Sequence, residues 1–159
     1  MNMKNFNLNS LDYKLINILM DNGRVTWSEL GDSLGLSAPA AAERVRRLED
    51  KGIIKGYSAI VDPELLSFEI VAFISVTLDR PENRHGFLEN ILKVKEIQEC
   101  HHVAGEEDYL LKVRCTKIKS LERLISEVLK EIPGVGKTKT TIVLSSKKET
   151  LKIPIPSSK

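Results

Sequence analysis

Ser37 to Gly52, SAPAAAERVRRLEDKG, decides how this chain is read. Ser37 is a good helix cap, Gly52 a good helix stop, and Ala41, Val45 and Leu48 fall on one stripe of the helix between them. At 100° per residue Arg46 and Arg47 point away from that stripe and Arg44 lies at its flank. The first turn, Ala38-Pro39-Ala40-Ala41, carries almost no side chain. Such an end can approach another surface closely, with arginines behind it to hold on, which is the profile of a helix that docks into a nucleic-acid groove. The same pattern also fits an ordinary amphipathic helix with solvated arginines.

The residues on the N-terminal side weigh the choice. Residues 10–21 read as a helix capped by Ser10, with Leu11, Leu15, Ile18 and Leu19 at helical spacing and Asn22-Gly23 as its end. Thr26-Trp27-Ser28-Glu29 has the form of a capping box and opens a short helix running to Leu34. Gly31 is a small residue where another helix can cross, and Gly35 suits a left-handed turn. Two helices around so tight a turn make a helix-turn-helix, whose second helix is free to enter a major groove. A three-helix bundle without a DNA role shares this spacing. After Gly52, residues 53–61 read as a short strand or wing, and Asp62-Pro63 marks a boundary.

Bulk properties narrow the class. The chain has 159 residues, 42% of them hydrophobic and 29% charged, as expected of a globular protein of one ordinary domain or two small ones. No apolar run is long enough for a membrane helix, and MNMKNFNLNS lacks a signal-peptide core, so a cytoplasmic protein with reduced thiols is expected. The net charge is only +2. Its placement is local: residues 43–55 hold five Lys and Arg against three acids, and residues 137–159 hold six Lys against one Glu.

The second half has another rhythm. Strand, helix, strand, strand, helix, strand can be assigned in turn to Ile70–Leu78, a helix bearing Phe87 and Ile91, Ile97–Val103, Tyr109–Cys115, a helix bearing Leu121 to Ile132, and Thr138–Leu144. This βαββαβ order predicts a ferredoxin-like sheet with both helices on one face. Thr150 to Ile153 can add an edge strand. In residues 70–76 both alternating faces are largely apolar, although a sheet covered on one side should have one polar face. A second copy of the chain, or the chain's own tail, is expected to cover it. His101 and His102 are adjacent on a strand and cannot chelate one metal together. Cys100 is expected opposite Lys112, which leaves Cys100 and Cys115 as free thiols, and Trp27 is read as packing. Nothing has the spacing of a nucleophile–base pair, a phosphate loop or a metal site, so an enzyme is not expected.

With these residues placed, the chain resembles the Lrp/AsnC (leucine-responsive, feast–famine) family of transcription regulators. The resemblance is carried by LSAPAAAERVRRLEDKGIIKGY (36–57), EIQECHHVAGEEDYLLKVR (96–114) and IPGVGKTKTTIVL (132–144), and covers Leu11 to Leu144. It implies an α+β fold: a winged helix-turn-helix DNA-binding domain (1–56), a linking strand and hinge (57–66), and a ferredoxin-like effector and oligomerisation domain (67–159). It further implies a prokaryotic, nucleoid-associated regulator whose dimers assemble further, often to octamers, with an amino acid as effector and no cofactor. An effector-independent architectural DNA-wrapping protein is the alternative. Many members have Ser-Pro before the second helix, whereas here Ala38 separates Ser37 from Pro39.

Two sites follow as expectations. For double-stranded DNA they are Ser37, Pro39, Ala40, Arg44, Arg46, Arg47 and Lys51, with the cations on phosphates and Arg47 best placed for a base edge. The alanines offer apolar contact to thymine methyls, so direct readout should be thin and DNA shape should matter. For the effector they begin with the turn Gly105 to Tyr109, in which Gly105 would expose backbone N–H groups to a carboxylate and Asp108 would hold an ammonium. A plain hairpin turn is the competing reading. In the family the Gly-x-x-Asp-Tyr turn lines a cleft between subunits, and by motif Thr140, Thr141 and Ile142 would face it.

Overall fold

The computed structural model describes residues 7–155. They form two compact units, one comprising the residues up to Ile60 together with the tail from Glu149, the other Val61–Lys148.

The first unit holds three helices, α1 (Ser10–Asp21), α2 (Trp27–Leu34) and α3 (Ala38–Asp50). Local chemistry sets each start. Asn9, not the expected Ser10, caps α1: its side chain accepts from the Asp12 amide at 2.9 Å while the Asp12 carboxylate accepts from the Asn9 amide at 3.1 Å. An amide oxygen at 9 with a carboxylate three residues on satisfies two orphan donors at once, whereas Ser10 offers no such partner. Thr26 and Glu29 make the expected box at α2, and Ser37 accepts from the Ala40 amide at α3. Gly35 (φ 68°) ends α2 in the left-handed conformation, and the Leu36 amide reaches back to the Gly31 carbonyl at 2.9 Å. The chain turns so tightly there that a Cβ on Gly31 would lie 2.7 Å from the Leu36 carbonyl oxygen. Leu15, Leu30, Ala41, Val45 and Leu48 meet in the core beneath.

Two expectations fail around this unit. Residues 57–66 form no strand, because nothing among the described residues offers them a ladder of backbone partners. Instead Ile53 and Ile54 pack back on the helical core, while Ile60, Val61 and Leu65 stand exposed. The tail makes no edge strand at Thr150 to Ile153 and belongs with the helices rather than with the sheet. The Lys152 ammonium meets the Asp21 carboxylate at 2.6 Å and Ile155 packs on the helical core. The compact unit that holds the sheet accordingly runs from Val61 to Lys148.

The second unit is the expected α+β layer pair. Its elements are β1 (Ile70–Leu78), α4 (Arg84–Ile91), β2 (Ile97–His102), β3 (Tyr109–Cys115), α5 (Ile118–Arg123) and β4 (Val135–Ile142), in an antiparallel sheet of order β2-β3-β1-β4. That order is the ferredoxin-like one. A π-helical stretch, Leu124–Leu129, continues α5. Ala72, Ile74 and Val76 of β1 pack with Leu111 and Val113 of β3 against Phe87, Ile91, Leu121 and Leu129 of the helices. A register shift between Ile97 and Glu99 places Cys100 opposite Leu111 rather than Lys112, which pairs with Glu99. Both thiols are free, and burial pushes both up in pKa.

Two substitutions test this packing by chemical denaturation. Leu48→Ala should cost about 2–5 kcal/mol, since the site is fully buried. Gly31→Ala should also destabilise, although alanine is the better helix former by roughly 1 kcal/mol, because its Cβ meets fixed backbone.

Candidate nucleic-acid interface and effector turn

The exposed side of α3 is built as the helical stripe requires. Ala41, Val45 and Leu48 are buried, while Ser37, Pro39 and Ala40 are exposed at the N-terminal end. There the positive end of the helix dipole favours an anion, although Pro39 has no amide to offer and the Ala40 amide is held by Ser37. The arginines behind are unequal. Arg46 is 68% exposed and, among the described residues, pairs along its own helix with Glu43 at 3.0 Å. Such a surface pair contributes at most about 1 kcal/mol and yields readily to a phosphate. Arg47 is 48% exposed and Arg44 only 21%. Lys51 closes the helix as its C-cap and is exposed. Trp27, at the first position of α2, is 48% exposed rather than packed away.

Arg44 and Arg47 converge on one carboxylate that sequence reasoning missed. Asp12, 1% exposed, accepts from Arg44 Nη1 at 2.5 Å and from Arg47 Nη2 at 3.2 Å, both on Oδ1. Arg44 Nη1 also donates to the Asn9 side chain at 3.1 Å. Burial opposes ionisation of Asp12, but the Asn9 amide, the Arg44 hydrogen bond and the two guanidinium charges outweigh it and hold the carboxyl below its ordinary value of 3.8. The signal available in the sequence was Asn9-x-x-Asp12, a capping-box pattern one residue before the expected cap.

The effector turn looks different. Asp108 is occupied by the fold: its Oδ2 accepts from the Leu78 amide at 2.8 Å, its amide donates to the Val76 carbonyl, and its carbonyl accepts from Val103. It thereby closes the end of β1 where the β1–β4 register shifts. Tyr109 is a core residue, 2% exposed, with its ring 4.8 Å from Phe87 and 5.2 Å from His102. Gly105 is exposed, has no positive φ, and a Cβ there would meet nothing within 4 Å. Arg84, unremarked in the sequence, donates from Nη2 to His102 Nε2 at 3.1 Å and lines a hollow with Asp108, Tyr109 and Pro81.

Thr140, Thr141 and Ile142 are not brought to this turn. Asp108 is level with Val76 and Leu78, which face Thr138 and Val135 of β4, whereas Thr140 to Ile142 face Ile74 to Ala72. They lie two to four residues further along β4, roughly 7–13 Å at strand spacing. Thr141 also points to the opposite face of the sheet from Thr140 and Ile142. One chain does not assemble these six residues into a single pocket. Among the described residues no group of three His, Cys, Asp or Glu side chains could hold a metal ion, and no helix is long and apolar enough to cross a membrane.

Comparison with known proteins fits this geometry. Residues 8–55 match the winged helix-turn-helix DNA-binding family and residues 71–153 the Lrp/AsnC ligand binding domain. The leucine-responsive regulatory protein of Escherichia coli K12 is 38% identical over 150 residues, covering 93% of this chain and 92% of that protein. A transcriptional regulator from Neisseria meningitidis, solved as a complex with L-methionine, superposes with a TM-score of 0.88 at 31% identity, over 92% of this chain and 96% of the other. The feast or famine regulatory protein of Mycobacterium tuberculosis, also complexed with L-methionine, gives 0.87 at 35% identity, over 94% and 99%.

The Asp12 carboxylate yields a pH prediction. Because its folded pKa is depressed, the stability it contributes is fully present above its unfolded value near 3.8 and is lost as the pH falls through the lower folded value. Asp12→Asn should therefore destabilise at neutral pH, by roughly 1.5–3 kcal/mol, the range for hydrogen bonds to charged groups. The gap between variant and parent should narrow as the pH falls below the ordinary value of 3.8 in urea titrations followed by circular dichroism. A gap that stays constant over that fall would show that the pair contributes nothing through its charge.

Proposed function

The chain belongs to the Lrp/AsnC family of transcriptional regulators, and from that premise we propose that α3 grips degenerate, roughly palindromic promoter DNA, as part of a homo-oligomer controlled by a small amino acid. It is a DNA-binding regulator with an amino-acid-binding domain, not an enzyme. The observation that carries the DNA reading is the asymmetry of α3. Its exposed first turn is nearly bare, and Arg46 and Arg47 stand exposed a turn and a half behind. Bare backbone allows close approach, the helix N-terminus favours phosphate, and the arginines supply charge. With so few side chains able to read base edges, selection leans on DNA bending and on two-fold assembly.

Assembly is supported by what the single chain leaves uncovered. On the face of β1 away from the helices, Phe73 is half-buried beside Ser75 and Thr77; on β3 Lys112 lies opposite Phe73 and the half-buried Leu110 opposite Ser75. Ile60, Val61 and Leu65 are a second set of solvent-exposed apolar side chains, on a stretch that joins no strand ladder among the described residues. A second copy would cover both, and higher assembly, up to an octamer, is the form we propose. A cytoplasmic, nucleoid-associated place of action belongs to the same reading.

The effector follows the same logic. The L-methionine complexes of the two relatives support an amino acid as ligand. A zwitterion needs donors for its carboxylate and a carboxylate for its ammonium. The turn beginning at Gly105 supplies exposed amides, and Asp108 keeps Oδ1 for a ligand while Oδ2 holds Leu78. Because Thr140, Thr141 and Ile142 lie further along the sheet, we place the complete site between copies, each contributing part.

Selection from random-sequence DNA should return two-fold symmetric, variable sites with half-sites about one helical turn, or a multiple, apart. A long invariant asymmetric sequence would overturn this account. In a thermal screen against the common amino acids, a ligand at a hundred times its dissociation constant should add about 2.7 kcal/mol. Gly105→Ala should leave the unliganded chain at least as stable, gaining up to about 1 kcal/mol of backbone entropy, since its Cβ meets nothing, yet raise the ligand concentration needed for half of the shift.

A further inference from the structure

Two arginines of α3 share one buried carboxylate from α1, and that sharing divides their labour. Arg44 and Arg47 are one helical turn apart, and two guanidiniums so placed repel each other. Asp12 sits between them and leaves the cluster with one net positive charge rather than two. The two are not held equally. Arg44 makes the shorter bond, 2.5 Å, adds a second to the Asn9 side chain, and is 21% exposed. Arg47 spends Nη2 on a longer bond of 3.2 Å and is 48% exposed. Asp12 itself cannot swing away, because its Oδ2 and its amide are both engaged with Asn9 in the cap of α1.

We propose that Asp12 is the positioning residue of the α3 surface: it withholds Arg44 from DNA and presents Arg47 in a fixed orientation, so that discrimination between sites depends on a side chain that touches no DNA. The proposal rests on the reading of α3 as the DNA-contacting helix and deepens it. A long flexible cation finds any phosphate, whereas a guanidinium held at one end approaches a base edge in one geometry and loses less freedom on docking. Withholding Arg44 also lowers the sequence-independent attraction that competes with selection, since each arginine placed on a phosphate strengthens binding to every sequence alike.

The test uses the full chain, a duplex recovered by selection from a random pool, and mixed-sequence competitor DNA, with affinities measured over a range of salt. Arg46→Gln should reduce the slope of log K against log salt by about 0.9, the value of one phosphate contact. Arg44→Gln should leave that slope unchanged. Asp12→Asn should release both arginines, increase the slope by about 0.9, and lower the ratio of selected to competitor affinity by roughly fivefold or more, the scale of a bidentate arginine–base contact. A merely structural role for Asp12 would lower both affinities together and move neither slope nor ratio. If Arg44→Gln reduces the slope as Arg46→Gln does, Arg44 is itself a contact and the proposal is overturned, and this arm decides even where Asp12→Asn does not fold. A folded Asp12→Asn, verified by circular dichroism, that keeps the parental slope and ratio overturns it as well. If replacing Arg46 and Arg47 together leaves affinity unchanged, α3 is not the DNA helix; that result overturns the underlying reading and the proposal with it, and is distinguishable from the other two.

Discussion

What the N-terminal unit can present depends on how closely the backbone at Leu36 passes Gly31. The left-handed turn at Gly35 folds the chain back so that the Leu36 amide bonds the Gly31 carbonyl, and the Leu36 oxygen then occupies the space a Cβ would need. That contact sets where Ser37 begins α3. The direction of α3 in turn decides which residues are buried with Leu15 and Leu30 and which are left outside. A larger residue at 31 would force the corner open and tilt the face that carries Arg46 and Arg47. The constraint is steric and local, and the consequence is the orientation of a charged surface more than ten residues away.

The Asp12 cluster solves the electrostatic problem this corner creates. Packing α3 against α1 brings two arginines toward a helix start, where the dipole is positive and cations are disfavoured. A carboxylate at the third position of α1 both completes the cap and neutralises one of them. Removing a carboxylate from water is costly unless its hydrogen bonds are made. Here both oxygens are engaged, with the Asn9 amide on one and two guanidiniums on the other, and the depressed pKa is the net result. One group therefore serves α1 stability, α3 placement and surface charge together.

Features written in a few consecutive residues were legible in the sequence. The Thr26–Glu29 box, Gly35 and the Ser37 cap stand where their local chemistry put them, and the apolar runs of β1 and β3 marked two strands to the residue. What failed depended on partners far along the chain. Asp12 reads as a polar residue beside a cap, and nothing nearby announces Arg44, thirty-two residues on. The bulge near Gln98 moved Cys100 by one register position, because a single extra residue on a strand leaves little trace in its hydrophobic pattern. The stretch 57–66 has strand-like composition, yet composition cannot supply a neighbour, and without one its amides do not form a ladder. The tail's return to the helices rests on Ile155 and the Lys152–Asp21 pair, too sparse to read as an element.

The effector turn shows where a single chain stops explaining its own residues. Asp108 and Tyr109 are each accounted for by the fold, one tying off β1 and the other filling the core beneath α4. Gly105 is not. A glycine in a folded chain is ordinarily required by a positive φ or by a neighbour too close for a Cβ, and Gly134 meets both conditions, with φ at 87° and the Asn83 side chain against it. Gly105 meets neither. It gives up backbone entropy on folding that alanine would not, without a return inside its own chain. On the proposed function the return comes from outside the chain: bare backbone at that turn serves an amino acid or a second copy, as the bare first turn of α3 serves DNA.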